Sequence, residues 1–290
     1  MSPLVDSRWL QAHLADPALV VLDATVLLPA PQFDGDYRVA SGHDGWLQAH
    51  IPGARHADLV TELADTQAPF SFALPPPHVL VQGLANLGAG VGKTLVIYDR
   101  ADGFWAARLW WMLRGVGIDA AVLDGGFEAW RAAGLPVHSG PAARIATAQP
   151  WPINLRPQLW IDRYGVEAII AGHAPGVLIC ALGAALFDGS ALTRYARRGH
   201  IPGSRNLPAR TLFDAQGRYL PKDALARAIG PTLLHSEGPL VLYCGGGISA
   251  AANALALTLL GRQDIALYDG SLQEWAADAR LPMTTGAAPA

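Results

Sequence analysis

The stretch Pro239-Leu240-Val241-Leu242-Tyr243-Cys244-Gly245-Gly246-Gly247-Ile248-Ser249 is followed by an alanine- and leucine-rich run from Ala250 to Leu260 that ends at Gly261. A short apolar run bounded by turn residues predicts a buried strand, and the longer run with its glycine stop predicts a helix. Cys244 then lies on the turn between the two. Glycines let such a turn curl until several backbone N–H groups point inward, and the helix that follows adds the positive end of its dipole. That environment favours the thiolate, the nucleophilic form of cysteine. A buried, inert cysteine in a glycine turn is the alternative reading.

Further from the turn, the chain repeats itself. His50-Ile51-Pro52-Gly53 returns 150 residues later as His200-Ile201-Pro202-Gly203. Leu95-Val96-Ile97-Tyr98 returns 145 residues later as Leu240-Val241-Leu242-Tyr243, and the segment from Leu123 to Trp130 returns at the same distance as Tyr268 to Trp275. Three matches in one order at nearly one offset identify a tandem duplication. In each copy apolar strands alternate with helices, which predicts an α/β fold of two domains, each a mostly parallel sheet flanked by helices. In the first copy the expected elements are helices over 7–14, 79–87 and 105–113, and strands over 19–22, 94–98 and 121–123. Residues 140–157, rich in proline and alanine, read as a linker between domains at 1–139 and 158–290. Ligands of such sheets sit at the carboxyl ends of the strands, and a cleft between domains suits a small molecule.

The duplication provides an internal comparison. The counterpart of Cys244 at the offset of 145 is Asp99, followed by Arg100-Ala101-Asp102-Gly103 instead of three glycines. A carboxylate cannot act as a sulfur nucleophile, so chemistry is assigned to the second domain and a cleft-forming role to the first.

Composition narrows the classes. With 290 residues, 51% hydrophobic, 16% charged and a net charge of −3, the chain reads as an ordinary globular protein with no electrostatic reason to bind nucleic acid or an acidic membrane. Met1 to Arg8 lack the pattern of a signal peptide and no apolar run is long enough to span a bilayer, so a cytoplasmic location is expected. The two cysteines, Cys180 and Cys244, have no metal-ligand spacing, and neither a disulfide, a metal nor a cofactor is expected. Gly90-Val91-Gly92-Lys93-Thr94 is not a phosphate-binding loop, because Leu87 stands where glycine is needed and the stretch precedes a strand.

Over almost its whole length the sequence resembles the tandem-domain rhodanese, or sulfurtransferase, family. The resemblance rests on Leu22-Asp23-Ala24-Thr25, the two His-Ile-Pro-Gly turns, Arg108-Leu109-Trp110-Trp111-Met112-Leu113, the paired Asp-Gly…Trp endings and the cysteine loop. It implies a ping-pong transfer in which Cys244 takes a sulfur from a donor, becomes a persulfide and passes that sulfur to a thiol or cyanide. The backbone of Gly245, Gly246, Gly247 and Ile248 would cradle the anionic sulfur. Ser249 would hydrogen-bond the donor or move a proton, unless it caps the helix. Uncharged glycines after the cysteine resemble the 3-mercaptopyruvate branch more than the thiosulfate branch, which usually carries basic residues there.

The chain departs from that branch where the donor's carboxylate should be held. Leu182 and Leu186 occupy positions that would be arginine, leaving Arg194, Arg197 and Arg198 as possible partners, with Arg194 nearest the expected spacing. For His50, in the opposite domain, the resemblance to mercaptopyruvate enzymes implies assistance of proton transfer, whereas His200 reads as structural. Cys180 reads as a small buried residue, and Trp105, Trp110 and Trp111 as core. A phosphatase would need an arginine closing the loop, and Ile248, Ser249 and Ala250 provide none. A catalytically silent binding module of the same fold is the alternative from a different class.

Overall fold

The computed structural model describes residues 2–287. Its first sheet uses β1 (Leu4–Val5), β2 (Leu19–Asp23), β5 (Arg55–His56), β6 (Thr94–Tyr98) and β7 (Ala121–Leu123), while β3 (Val26–Leu27) and β4 (Ala40–Ser41) form a separate antiparallel pair. The second sheet uses β8 (Trp160–Ile161), β9 (Val177–Cys180), β10 (Arg205–Asn206), β11 (Leu240–Tyr243) and β12 (Ile265–Tyr268). Both sheets are wholly parallel. Their orders, β1-β7-β6-β2-β5 and β8-β12-β11-β9-β10, are the same order in two copies, with β6 and β11 at the centre. The duplication read from the sequence is therefore a duplication of fold.

The repeated turns explain themselves at this level. In each copy the histidine N–H donates to a distant carbonyl, His50 to His138 and His200 to Thr284, and each pair is reciprocal. The next N–H donates to the hydroxyl of the central strand's tyrosine, Ile51 to Tyr98 and Ile201 to Tyr243. Each imidazole donates from Nδ1 to a carbonyl, that of Trp46 or of Phe187, and stacks on the same residue's ring. Segment 139–156 has neither helix nor strand and is tied along the first sheet's helices, with Ala148 N–H donating to Ala85 and Asn154 N–H to Val116.

Between the sheets, helix Phe104–Gly115 packs against helix Ile248–Leu259. One side brings large rings, Trp105, Trp110 and Trp111, and the other brings Ala250, Ala251 and Ala254, all buried. Small against large lets the two backbones approach, so a single apolar cluster runs through both halves. Each helix is entered through a glycine in the left-handed region, Gly103 at φ 78° and Gly247 at φ 78°. That conformation turns the chain from loop to helix within one residue. It starts the second helix at Ile248 rather than at Ala250.

Two kinds of polar clasp hold the halves in register. Asp124 accepts from Tyr219 N–H at 2.8 Å and its repeat counterpart Asp269 accepts from Leu74 N–H at 2.8 Å, so each copy's Asp-Gly aspartate grips the other copy. Separately, segment 28–38 of the first half crosses to the second. Gly35 N–H donates to Thr193 O, Asp34 accepts from Thr193 N–H, and Arg198 binds the Asp34 carboxylate. Among the described residues no helix is long and apolar enough to cross a membrane.

The Arg198 hydrogen bond and the Thr193 N–H hold the Asp34 carboxyl below the usual carboxylate range. A depressed folded value contributes stability at and above the ordinary range and loses it as the pH falls through the depressed value. Thermal unfolding followed from neutral to strongly acidic pH should show Asp34→Asn less stable than the parent at neutral pH and converging with it at the acid end. An equal gap at every pH would refute the role given to this clasp.

Candidate active site

β11 carries four buried residues into the turn, and Cys244 follows at the carboxyl end of this central strand. Its side chain is 2% exposed. The loop is held from behind by the segment after β12. Cys244 N–H donates to Ser271 Oγ at 3.2 Å, Leu272 N–H donates to Cys244 O and Gln273 N–H donates to Gly245 O. Ser271 adopts φ 47°, a left-handed conformation that costs a non-glycine residue about 1–2 kcal/mol. The first copy has Gly126 at φ 57° in the same place. The second copy thus retains a strained residue whose hydroxyl receives the Cys244 N–H, the pattern expected where strain serves a site. Sequence reading passed over Ser271, although the change from Asp-Gly-Gly to Asp-Gly-Ser marks it.

Each loop glycine has a steric reason. A Cβ at Gly245 would overlap the Tyr195 hydroxyl, one at Gly246 the Gln273 amide, and one at Gly247 would crowd Arg108 Nη1. Arg108 comes from the first half. It is 1% exposed, donates to Phe72 O and pairs with Asp269, while its Nε and Nη1 have no partner. A buried guanidinium thus backs the cysteine loop.

The first copy shows what such a turn binds. Asp99 is fully buried, and its Oδ1 accepts from Ala101 N–H (2.9 Å) and Gly103 N–H (3.0 Å) while Oδ2 accepts from Ala106 N–H (2.9 Å). Burial pushes its carboxyl up from the usual range and the three N–H donors oppose that rise. In effect the carboxylate is an anion built into the loop. Strands align at the offset of 145 but the capping glycines at 144, so the Asp99 loop is one residue longer and has room to fold its own side chain back. In the cysteine loop no such carboxylate is present, and the loop borders a cavity.

That cavity, of about 270 Å³, lies between the two halves. Cys244, Gly245, Gly246, Ile248 and Ser249 form its floor. Arg194 lines it from the loop that segment 28–38 grips; its Nη2 donates to Pro29 O and its Nε is buried without a partner. Tyr37 and Tyr195 also line it, burial raising both phenols so that they are protonated at neutral pH, with Ser71 beside the Tyr37 hydroxyl. Asp102 is at the wall and pairs with Arg210. The remaining surface is Val26, Leu28, Leu182, Phe72, Phe104, Trp105 and the Gln273 amide.

The structure thus brings Cys244, Gly245, Gly246, Ile248, Ser249 and Arg194 together, with Gly247 at the hinge of the floor. Ser249 is not the helix cap: Gly247 holds that position with no side-chain bond, and Ser249 sits in the first turn. His50 is elsewhere. It is 3% exposed, engaged with Trp46 and absent from the cavity wall, because the turn it holds lies on the outer face of the first sheet. Arg197 spends its donors on four carbonyls and Arg198 on Asp34, Gly189 and Ser190, which leaves Arg194. Leu182 lines the cavity and Leu186 does not. Trp105 is wall as well as core, which core packing alone did not anticipate. Cys180 is buried on the neighbouring strand, and burial pushes its thiol up to about 12.

Comparison with known proteins gives consistent matches. The rhodanese-like domain model matches residues 6–133 and 178–278. The chain is 31% identical to 3-mercaptopyruvate sulfurtransferase of Escherichia coli over 283 residues, covering 96% of each. It is 32% identical over 304 aligned positions to thiosulfate/3-mercaptopyruvate sulfurtransferase 1, mitochondrial, of Arabidopsis thaliana, covering 97% of this chain and 78% of that one. The crystal structure of SseA from Escherichia coli, a 3-mercaptopyruvate sulfotransferase by its description, superposes with a TM-score of 0.79 at 29% identity, covering 93% of this chain and 99% of that one.

Two substitutions test this geometry. Asp99→Ala leaves three buried N–H groups unpaired and should cost roughly 2–4 kcal/mol in denaturant unfolding, with Asp99→Asn intermediate because one acceptor oxygen remains. Ser271→Gly removes backbone strain together with the Cys244 N–H acceptor. Its unfolding midpoint should stay near the parent's while alkylation of Cys244 slows; a large loss of stability would contradict the strain assigned to Ser271.

Proposed function

The chain belongs to the rhodanese-like family, and on that premise we propose that this sulfurtransferase moves a sulfane sulfur from 3-mercaptopyruvate to a thiol or cyanide through a persulfide on Cys244. The observation that carries the reading is a buried donor without a protein partner, Arg194 Nε, at the wall of the cavity whose floor is the cysteine loop, with the Tyr37 phenol on the same wall. A 2-oxo acid offers them a carboxylate and a keto oxygen.

The steps follow from these groups. The Cys244 thiolate attacks the donor's sulfur, the carbon–sulfur bond breaks, and its electrons pass to the carbonyl as an enolate that takes a proton to become pyruvate. Tyr37 or Ser249 donates a hydrogen bond to the developing charge. The outer sulfur of the persulfide, anionic like the Asp99 carboxylate, rests against the loop N–H groups. An acceptor thiolate then attacks that sulfur, the sulfur–sulfur bond breaks, and the Cys244 thiolate returns. Thiosulfate, a dianion, would meet only one unpaired guanidinium edge and apolar walls, so it is the weaker donor in this proposal. A cytoplasmic site accords with two unbridged thiols.

Mixing the protein with 3-mercaptopyruvate and weighing it should show one added sulfur atom, absent in Cys244→Ser. Arg194→Leu should raise KM for 3-mercaptopyruvate at least tenfold. A higher kcat/KM for thiosulfate than for 3-mercaptopyruvate would overturn the choice of donor, and a persulfide formed in Cys244→Ser would overturn the choice of nucleophile.

A further inference from the structure

The cavity is larger and more apolar than a three-carbon acid requires. Its volume of about 270 Å³ corresponds to roughly nine waters. Once Arg194, Tyr37 and the loop have taken the donor's polar atoms, an apolar lining of Phe72, Phe104, Trp105, Val26, Leu28 and Leu182 remains unused. Charge is nearly absent from it: the one carboxylate, Asp102, is already paired with Arg210. Phe104 and Phe72 are braced by other rings, Phe213 and Trp105, so the wall is preformed.

In a ping-pong reaction donor and acceptor use one cavity in turn, and the wall is free when the keto acid leaves. We propose that the preferred acceptor is a small thiol with an aromatic or branched apolar body and at most one negative charge. This inference rests on the persulfide reading above. The step balances: the acceptor's thiolate attacks the outer sulfur, a new sulfur–sulfur bond forms, the bond to Cys244 breaks, and the products are an organic persulfide anion and the Cys244 thiolate. Burial of the body against the wall favours this class over hydrophilic thiols, which leave that surface wet.

The test starts from protein charged with 3-mercaptopyruvate and freed of excess donor, and follows loss of the added sulfur with benzyl mercaptan, 2-mercaptoethanol and glutathione as acceptors, compared at equal thiolate concentration. The expected result is a second-order rate for benzyl mercaptan roughly tenfold or more above each of the others. Phe104→Ala and Leu182→Arg should each bring the ratio toward unity, and because the ratio is internal to each variant, a general loss of activity does not imitate the effect. Equal rates for the three thiols, or a ratio unchanged in both variants, would overturn the proposal. Failure to charge at all would instead overturn the persulfide reading.

Discussion

A strand that ends in a tight turn and re-enters as a helix leaves several backbone N–H groups pointing at one spot, and that spot needs an anion. The requirement follows from backbone geometry alone. The two copies of this fold meet it in different ways. In the first, Asp99 folds back and accepts from Ala101, Gly103 and Ala106. In the second, the loop is one residue shorter, three glycines remove every side chain that could fold back, and the loop borders a cavity that Cys244 also lines. A loop left open beside a cavity in one half and a loop closed by its own carboxylate in the other are two solutions to one problem.

The other features of the site serve that loop. Ser271 accepts strain in order to receive the Cys244 N–H. Gln273 holds the Gly245 carbonyl and also accepts from Ser71 N–H of the opposite half. Arg108 reaches across to stand behind Gly247. The cysteine-bearing half therefore does not contain its whole site: much of the apolar cavity wall, the backing charge and the hydroxyl of Tyr37 come from the other half.

Much of this was legible in the sequence, because duplication converts chance resemblance into comparison. Repeated apolar tetrapeptides located both central strands, and the Asp99/Cys244 pair singled out the loop that floors the cavity. What escaped was long-range. Nothing near His50 shows that its imidazole is committed to Trp46; only the fold places that turn on the outer face. Arg194 could be separated from Arg197 and Arg198 only by seeing that the latter two are consumed by carbonyls and by Asp34. Ser249 looked like a cap because a serine before an alanine run usually is one, whereas Gly247 at φ 78° starts the helix two residues sooner. The aspartates of the two Asp-Gly motifs were visible as repeats, yet their reciprocal grip on Leu74 and Tyr219 is a property of the pair of domains.

That grip has a mechanical meaning. Asp269 holds Leu74 N–H with one oxygen and Arg108 with the other, and Arg108 also holds Phe72 O. A hinge opening of the two halves would have to break both Asp269 bonds together with the Asp124 contact on the far side, and would leave a buried guanidinium with no counter-charge. The cleft is therefore a fixed slot rather than a jaw. A slot of that kind sets one spacing between the Cys244 sulfur and the opposite wall, whatever molecule lies between them.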